Sequence, residues 1–246
     1  MPYITRDLEK VVFSVTQEYP VVIVTGPRQV GKTTMLEKLR EGTSRNYVSL
    51  DDLTERTLAQ TDPQMFFQLH KPPILIDEVQ YAPQLFIYIK IMVDQSHRAG
   101  DFWLTGSQAF KLMTLAGESG RACVLHLNGL SQKELYGSGE NQPFSVSIDA
   151  IRERIAHREA ADTPAIFERI FRGSMPAFAS GAISNRSLFY SSYLQTYIER
   201  DVRELDGSIE ATEFLRFITA VACRTGQMVN YSDIGGDLDG MRTEKV

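Results

Sequence analysis

An α/β fold, in which a five-stranded parallel sheet lies between helices and a smaller helical domain follows, is predicted from three observations. Apolar, β-branched runs alternate with helix-patterned segments through residues 1–136, the order expected of parallel strands joined by crossover helices. The octapeptide Gly26, Pro27, Arg28, Gln29, Val30, Gly31, Lys32, Thr33 stands between one such run and one such helix, and it fits the phosphate-loop pattern G-x-x-x-x-G-K-[ST]. A later run, Ile74, Leu75 and Ile76, ends in Asp77 and Glu78. Two carboxylates therefore reach the strand end where open α/β sheets bind ligands.

The elements follow in order. Thr5 is placed to cap a first helix, whose Leu8, Val11, Val12 and Val15 repeat at i, i+3, i+4 and i+7. Pro20 opens the run Val21 to Thr25, continuous enough in apolar character to be a fully buried parallel strand. Thr34 to Arg40 suits a helix, and Asn46 to Leu50 reads as a second strand, followed by Asp51, Asp52 and a polar helix. Asp62 then Pro63 pairs an N-cap with a proline in the first helical position. After the strand Ile74 to Asp77, Leu85, Ile89 and Met92 or Val93 keep helical spacing. Gly100 and Asp101 break that helix before a fourth strand, Phe102 to Thr105, which runs into Gly106 and Ser107. A fifth strand covers Ala122 to about Leu127, and Ser131 with Glu134 makes a capping box for a short helix.

The phosphate loop carries its own chemistry. Glycines let the backbone wrap closely around phosphates, main-chain N–H groups point inward, and the following helix adds partial positive charge at its N-terminus. Gly26 to Thr33 with Thr34 form the expected nucleotide-binding set, Lys32 supplying a cation to the outer phosphates. Thr33 offers a hydroxyl to Mg²⁺, a cation that keeps several waters and takes few protein ligands. Asp77 is the expected second metal residue, and Glu78 is placed to accept a proton from the attacking water or to orient it. In the class of phosphate-loop proteins with a strand inserted between the loop strand and the acidic strand, the fourth strand carries a polar residue near the γ-phosphate, which points to Ser107. Arg121, at the opposite edge of its strand, does not reach its own subunit's nucleotide. It suits either an arginine finger on a neighbour in a homo-oligomer or a surface pair with Glu118. ATP is expected over GTP, because no Asn-Lys-x-Asp motif occurs.

Composition narrows the classes of partner. The 246 residues are 43% hydrophobic with formal net charge −5, and neither half is biased in sign. A broad basic surface for nucleic acid is therefore not indicated. Cys123 and Cys223 fit no metal or redox spacing and are expected to be reduced. No apolar run approaches the ~20 residues that span a bilayer, and the N-terminus lacks the apolar core of a signal peptide, so a cytoplasmic location is expected.

The octapeptide, Tyr47 to Asp52 (YVSLDD), Ile74 to Lys90 (ILIDEVQYAPQLFIYIK) and Trp103 to Met113 (WLTGSQAFKLM) resemble the AAA-type ATPases of bacteria and archaea that carry a C-terminal domain of unknown function. Gly129 to Leu135, Tyr193 to Leu205 and Phe214 to Ile234 resemble the same family. The resemblance covers most of the chain and is weakest from Tyr136 to Thr163. It implies Mg²⁺-dependent ATP hydrolysis, with the roles above for Lys32, Thr33, Asp77 and Glu78, and supports Ser107 as a γ-phosphate sensor. Members of that family continue into a further nuclease-like domain, so the helical part after residue 136 is expected to be incomplete. The expected layout is an ATPase domain over 1–136, a helical subdomain over 137–234 and an unstructured tail over 235–246.

In the helical part, Ile198, Val202 and Leu205, and Phe214, Phe217, Ile218 and Val221, are stripes suited to a bundle. Tyr193, Tyr197, Arg200 and Arg203 would be the residues to meet DNA, but Glu199, Asp201 and Glu204 between them favour a salt-bridged solvent face. Two alternatives to an ATPase stay open: a nucleotide-gated switch that binds a protein or DNA partner with little turnover, and a shortened relic.

Overall fold

The computed structural model describes residues 3–107, 121–136, 145–156, 162–202 and 209–238. They divide into two compact units, 1–184 and 185–246. The first unit contains α1 (Leu8–Thr16), β1 (Val21–Thr25), α2 (Lys32–Arg40), β2 (Asn46–Ser49), α3 (Leu53–Thr61), α4 (Pro63–Leu69), β3 (Ile74–Asp77), a 3₁₀ turn (Val79–Tyr81), α5 (Leu85–Ser96), β4 (Phe102–Gly106), β5 (Ala122–His126), α6 (Gln132–Tyr136), α7 (Ile148–Ala156), α8 (Thr163–Arg172) and α9 (Pro176–Ala179).

The five strands are parallel in the order β2-β3-β4-β1-β5. β4 is thus inserted between the loop strand and the acidic strand, as the strand count predicts. Register aligns Thr25 with Gly106 and with His126, and Ser49 with Asp77. One edge of the sheet therefore gathers the loop, the acidic pair and the end of β4.

Side chains alternate across a strand, and the alternation divides the interior into two cores. Val21 and Ile23 of β1, Ile74 and Ile76 of β3, and Phe102 and Leu104 of β4 pack with residues of α3, α4 and α5, including Ala59, Phe66, Leu85 and Ile89. Val22, Val24, Leu75 and Trp103 face the other way, onto Val12 of α1 and Met35, Leu36 and Leu39 of α2. Each fully buried Met, Leu or Phe contributes roughly 1.5–3 kcal/mol. β1 is buried along its whole length, whereas β5, at the sheet edge, is only partly covered.

Most caps lie where the sequence puts them. The Asp52 carboxylate accepts from the N–H of Thr54 and Glu55, and that of Asp62 accepts from Met65 N–H. Ser131 and Glu134 form the reciprocal box, with Glu134 accepting from Ser131 N–H and Ser131 from Glu134 N–H. Thr5 is not the first cap: α1 starts after Asp7 without a side-chain cap bond. Glu9 instead reaches back to accept the Arg6 N–H at 2.5 Å.

The second unit holds α10 (Arg186–Tyr197), which continues as a π-helical turn (Ile198–Val202), α11 (Ala211–Ala222) and α12 (Tyr231–Asp237). Ile198 and Val202 are buried as the stripe predicts, while Leu205 and Arg203 lie outside the described residues. Tyr193 and Tyr197 are stacked on each other, Tyr193 on Phe189 and Tyr197 against Phe214. These rings form a partly buried ladder beside the small core of Ala220, Ile234 and Leu238. α12 runs through Gly235 and Gly236 to Asp237, so the expected tail begins in a helix. No described helix is long and apolar enough to cross a membrane.

Candidate functional site

β1 ends at Thr25, and the chain then turns through three backbone conformations with positive φ: Gly26 at +144°, Gln29 at +62° and Gly31 at +92°. A Cβ on Gly26 would lie 2.1 Å from the Leu127 carbonyl oxygen, so only glycine fits where the loop passes the end of β5. Gly31 is the N-cap of α2, and Lys32 and Thr33 open its first turn. Lys32 is 5% exposed, and its ammonium donates to the carbonyls of Gly26 and Pro27, both at 2.9 Å. The amine thus spans the mouth of the loop with main-chain partners that a phosphate oxygen can outcompete.

Across the sheet edge, Thr33 Oγ1 donates to Asp77 Oδ1 at 2.6 Å. Thr105 Oγ1 donates to the same carboxylate oxygen and accepts the Glu78 N–H at 3.1 Å. The inserted strand therefore bridges the two acidic residues. Glu78 adopts φ +56° at the end of β3, which swings it out of the strand direction, and its Oε2 accepts from Gln80 Nε2. Ser107 Oγ and Gln80 Oε1 are buried without a hydrogen-bond partner among the described residues. Buried polar atoms of that kind are few in native proteins, and Ser107 keeps a hydroxyl unspent at the end of β4.

Thr33 and Asp77 offer adjacent hard oxygens, the donor type Mg²⁺ selects. Among the described residues no group of three or more His, Cys, Asp or Glu is arranged to hold a metal, and a cation held by this pair would need most of its ligands from elsewhere. Arg121 stands at the start of β5, where its carbonyl accepts Val21 N–H, at the sheet edge opposite the loop. Its Nε pairs with Asp94 of α5 at 2.7 Å, with both side chains 39% exposed. Glu118, the partner expected from sequence, lies outside the described residues.

Beside the loop lies a cavity of about 340 Å³, lined by Tyr3, Ile4, Gln29, Thr34, Pro176 and Ala177 among others. Its size falls in the range of small-ligand sites. Tyr3 donates its hydroxyl to Glu9 at 2.7 Å, and burial followed by that carboxylate raises its pKa well above the ordinary value. Arg6, beside it, is 5% exposed and pairs with Glu134 at 3.0 Å. Burial alone would raise the Glu134 carboxyl, but donors from Ser131, Asp7 and Arg6 outweigh it and hold the pKa below the usual value.

Hydrogen bonds join Thr33, Asp77 and Glu78 through Thr105, Lys32 and Ser107 lie at the same edge of the sheet, and Arg121 lies at the far edge. The sequence alone assigns no role to Thr105, Gln80 or Arg6. Gln80 and Thr105 lie within the runs Ile74 to Lys90 and Trp103 to Met113 that carry the resemblance, which is their only signal, and Arg6 has none.

Residues 18–136 match the family model described as AAA domain. This segment is similar to AAA domains over just under half of the chain. A second family model, a domain of unknown function, matches residues 163–245. Uncharacterized proteins of Mycobacterium bovis and Mycobacterium tuberculosis are each 26% identical over 227 residues, which is 91% of this chain and 45% of theirs. The chain thus spans about half the length of the curated relatives it matches. The Walker-type ATPase of Pyrococcus abyssi shares the fold, with a TM-score of 0.52 at 13% identity over 98% of this chain and 89% of that one. The five-stranded parallel sheet agrees with that likeness.

Proposed function

We propose that the AAA domain is a Mg²⁺-dependent ATPase. The Thr33–Asp77 contact at 2.6 Å carries the reading, because it joins the phosphate loop to the acidic strand across an intervening strand. Gly26 to Thr34 take the triphosphate, the Lys32 ammonium exchanging the Gly26 and Pro27 carbonyls for phosphate oxygens. Thr33 and Asp77 would hold Mg²⁺, directly or through its waters, and the metal would supply charge neutralisation to the triphosphate. Glu78 accepts the proton of the attacking water, and Ser107 donates its unspent hydroxyl to a γ-phosphate oxygen. The cavity beside Thr34 takes the base. Arg121, once released from Asp94, serves the nucleotide of a neighbouring subunit in a homo-oligomer.

The decisive variant is Glu78→Gln, which keeps shape and removes the proton acceptor. Turnover is expected to fall about 10²–10⁴-fold, with ATP affinity within a factor of about two of wild type. Equal turnover in that variant removes Glu78 from the mechanism. The Gln80 bond on the Glu78 carboxylate supports a second reading, a nucleotide-gated switch whose base is held back. Tight ATP binding with negligible turnover at every protein concentration would favour it.

A further inference from the structure

Arg6 is not part of any motif, yet its guanidinium is one of the few buried charges of the first unit. Its hydrogen bonds reach three separate segments. Nε donates to Glu134 Oε1 at 3.0 Å, NH1 to the Val30 carbonyl at 2.8 Å, and NH2 to the carbonyls of Asn128 at 2.7 Å and Gly129 at 3.3 Å. Glu134 is itself fixed, accepting the Asp7 N–H at 2.8 Å and the Ser131 N–H at 2.7 Å. A planar fork with five donors can serve acceptors spread in this way; a lysine ammonium at the end of a flexible stem cannot serve them all.

One of these bonds acts on the loop itself. The Val30 carbonyl and the Gly31 N–H belong to the same peptide plane, and in a trans peptide they point in opposite directions. Holding the carbonyl oxygen toward Arg6 therefore aims the Gly31 N–H away from Arg6. A donor on the carbonyl also polarises the peptide and makes its N–H a stronger donor in turn. Gly31 has φ +92°, a conformation that costs any other residue strain, and the Arg6 bond to the preceding carbonyl helps to hold that turn.

We propose that Arg6 is a positioning residue of the phosphate-binding loop: anchored by Glu134, it pins the Val30 carbonyl and so orients and strengthens the Gly31 N–H as a phosphate donor. The proposal rests on the reading of Gly26 to Thr33 as a triphosphate cradle. It assigns Arg6 no contact with the phosphates; Arg6 also lines the cavity beside Thr34, and tripolyphosphate, which has no base, isolates its effect on the loop. Arg6 acts on phosphate through one peptide group.

The test uses the full chain with Arg6→Lys, which keeps a cation beside Glu134, and the double variant Arg6→Gln/Glu134→Gln, which leaves no buried charge without a partner. Two readouts separate positioning from general stability: the Gly31 amide resonance in ¹⁵N-resolved spectra, and the affinity for inorganic tripolyphosphate measured beside that for ATP. The Gly31 resonance is expected to move in both variants. Tripolyphosphate and ATP affinity are expected to fall together by about tenfold, the worth of one charge-assisted bond. The loss should appear in KM more than in kcat. A folded Arg6→Lys protein with the Gly31 resonance in place and tripolyphosphate affinity unchanged overturns the proposal. Loss of the fold in both variants also overturns it, by assigning Arg6 to the framework alone. A wild-type chain that binds neither tripolyphosphate nor ATP instead sinks the nucleotide-binding reading on which the proposal rests.

Discussion

Replacing Gly26 by alanine puts one methyl group where the structure has no room for it. The added carbon would sit 2.1 Å from the Leu127 carbonyl oxygen and 3.1 Å from the Leu127 carbonyl carbon. Ordinary contact between carbon and oxygen needs a little over ~3 Å, so loop and strand end must part by about 1 Å. Leu127 cannot yield freely, because its N–H donates to Thr25 O at 2.8 Å and its side chain is buried in the core. Backbone strain at φ +144° adds about 1–3 kcal/mol. The sum of strain and displacement should cost about 2–6 kcal/mol of stability. A shift of that size in a catalytic loop is expected to lower ATP turnover about 10²-fold. Gly42→Ala is the control: Gly42 has φ +76° and nothing within 4 Å of an added Cβ, so it carries strain without a clash. Urea denaturation of both variants, with ATP affinity and turnover in the same preparations, separates the two effects. If Gly26→Ala is as stable and as active as Gly42→Ala, close passage of the loop under the β5 end does not govern this site.

Other outcomes follow from the same geometry. If Arg121 serves a neighbouring subunit, ATPase activity per chain rises with protein concentration and Arg121→Ala removes that rise; a flat dependence in wild type denies the finger. Glu134 has a folded pKa below its ordinary value, so its contribution to stability is complete above about pH 4.5 and is lost as pH falls through the lower folded value. Glu134→Gln should therefore be less stable than wild type at pH 7, with the gap closing in acid. Denaturation midpoints at pH 7 and below pH 4 measure this, and a gap that stays constant between them refutes it.

Much of the first unit was legible because each of its signals is local. The β-branched run at Val21, the capped starts at Asp62 and Ser131, and the helical spacing of Leu85, Ile89 and Val93 each depend on residues close together in the chain. Thr5 misled because a hydroxyl before an amphipathic stretch says nothing about Arg6, whose side chain is drawn inward by acceptors more than a hundred residues away at Asn128, Gly129 and Glu134. That attraction sets the start of α1 at Leu8 and leaves Glu9 to accept the Arg6 N–H.

The site divides in the same way. The sequence by itself determined that a glycine-rich turn with a lysine and a threonine opens a helix, and that a buried strand ends in two carboxylates, since both follow from residue type and short spacing. Only the tertiary structure decided that these two pieces meet, because β4 lies between their strands and Thr105 links both carboxyl-bearing residues to it. It also decided which residues support them. Gln80 on Glu78, and Arg6 on the Val30 carbonyl, depend on how strands and loops stack in space, and no spacing along the chain encodes that.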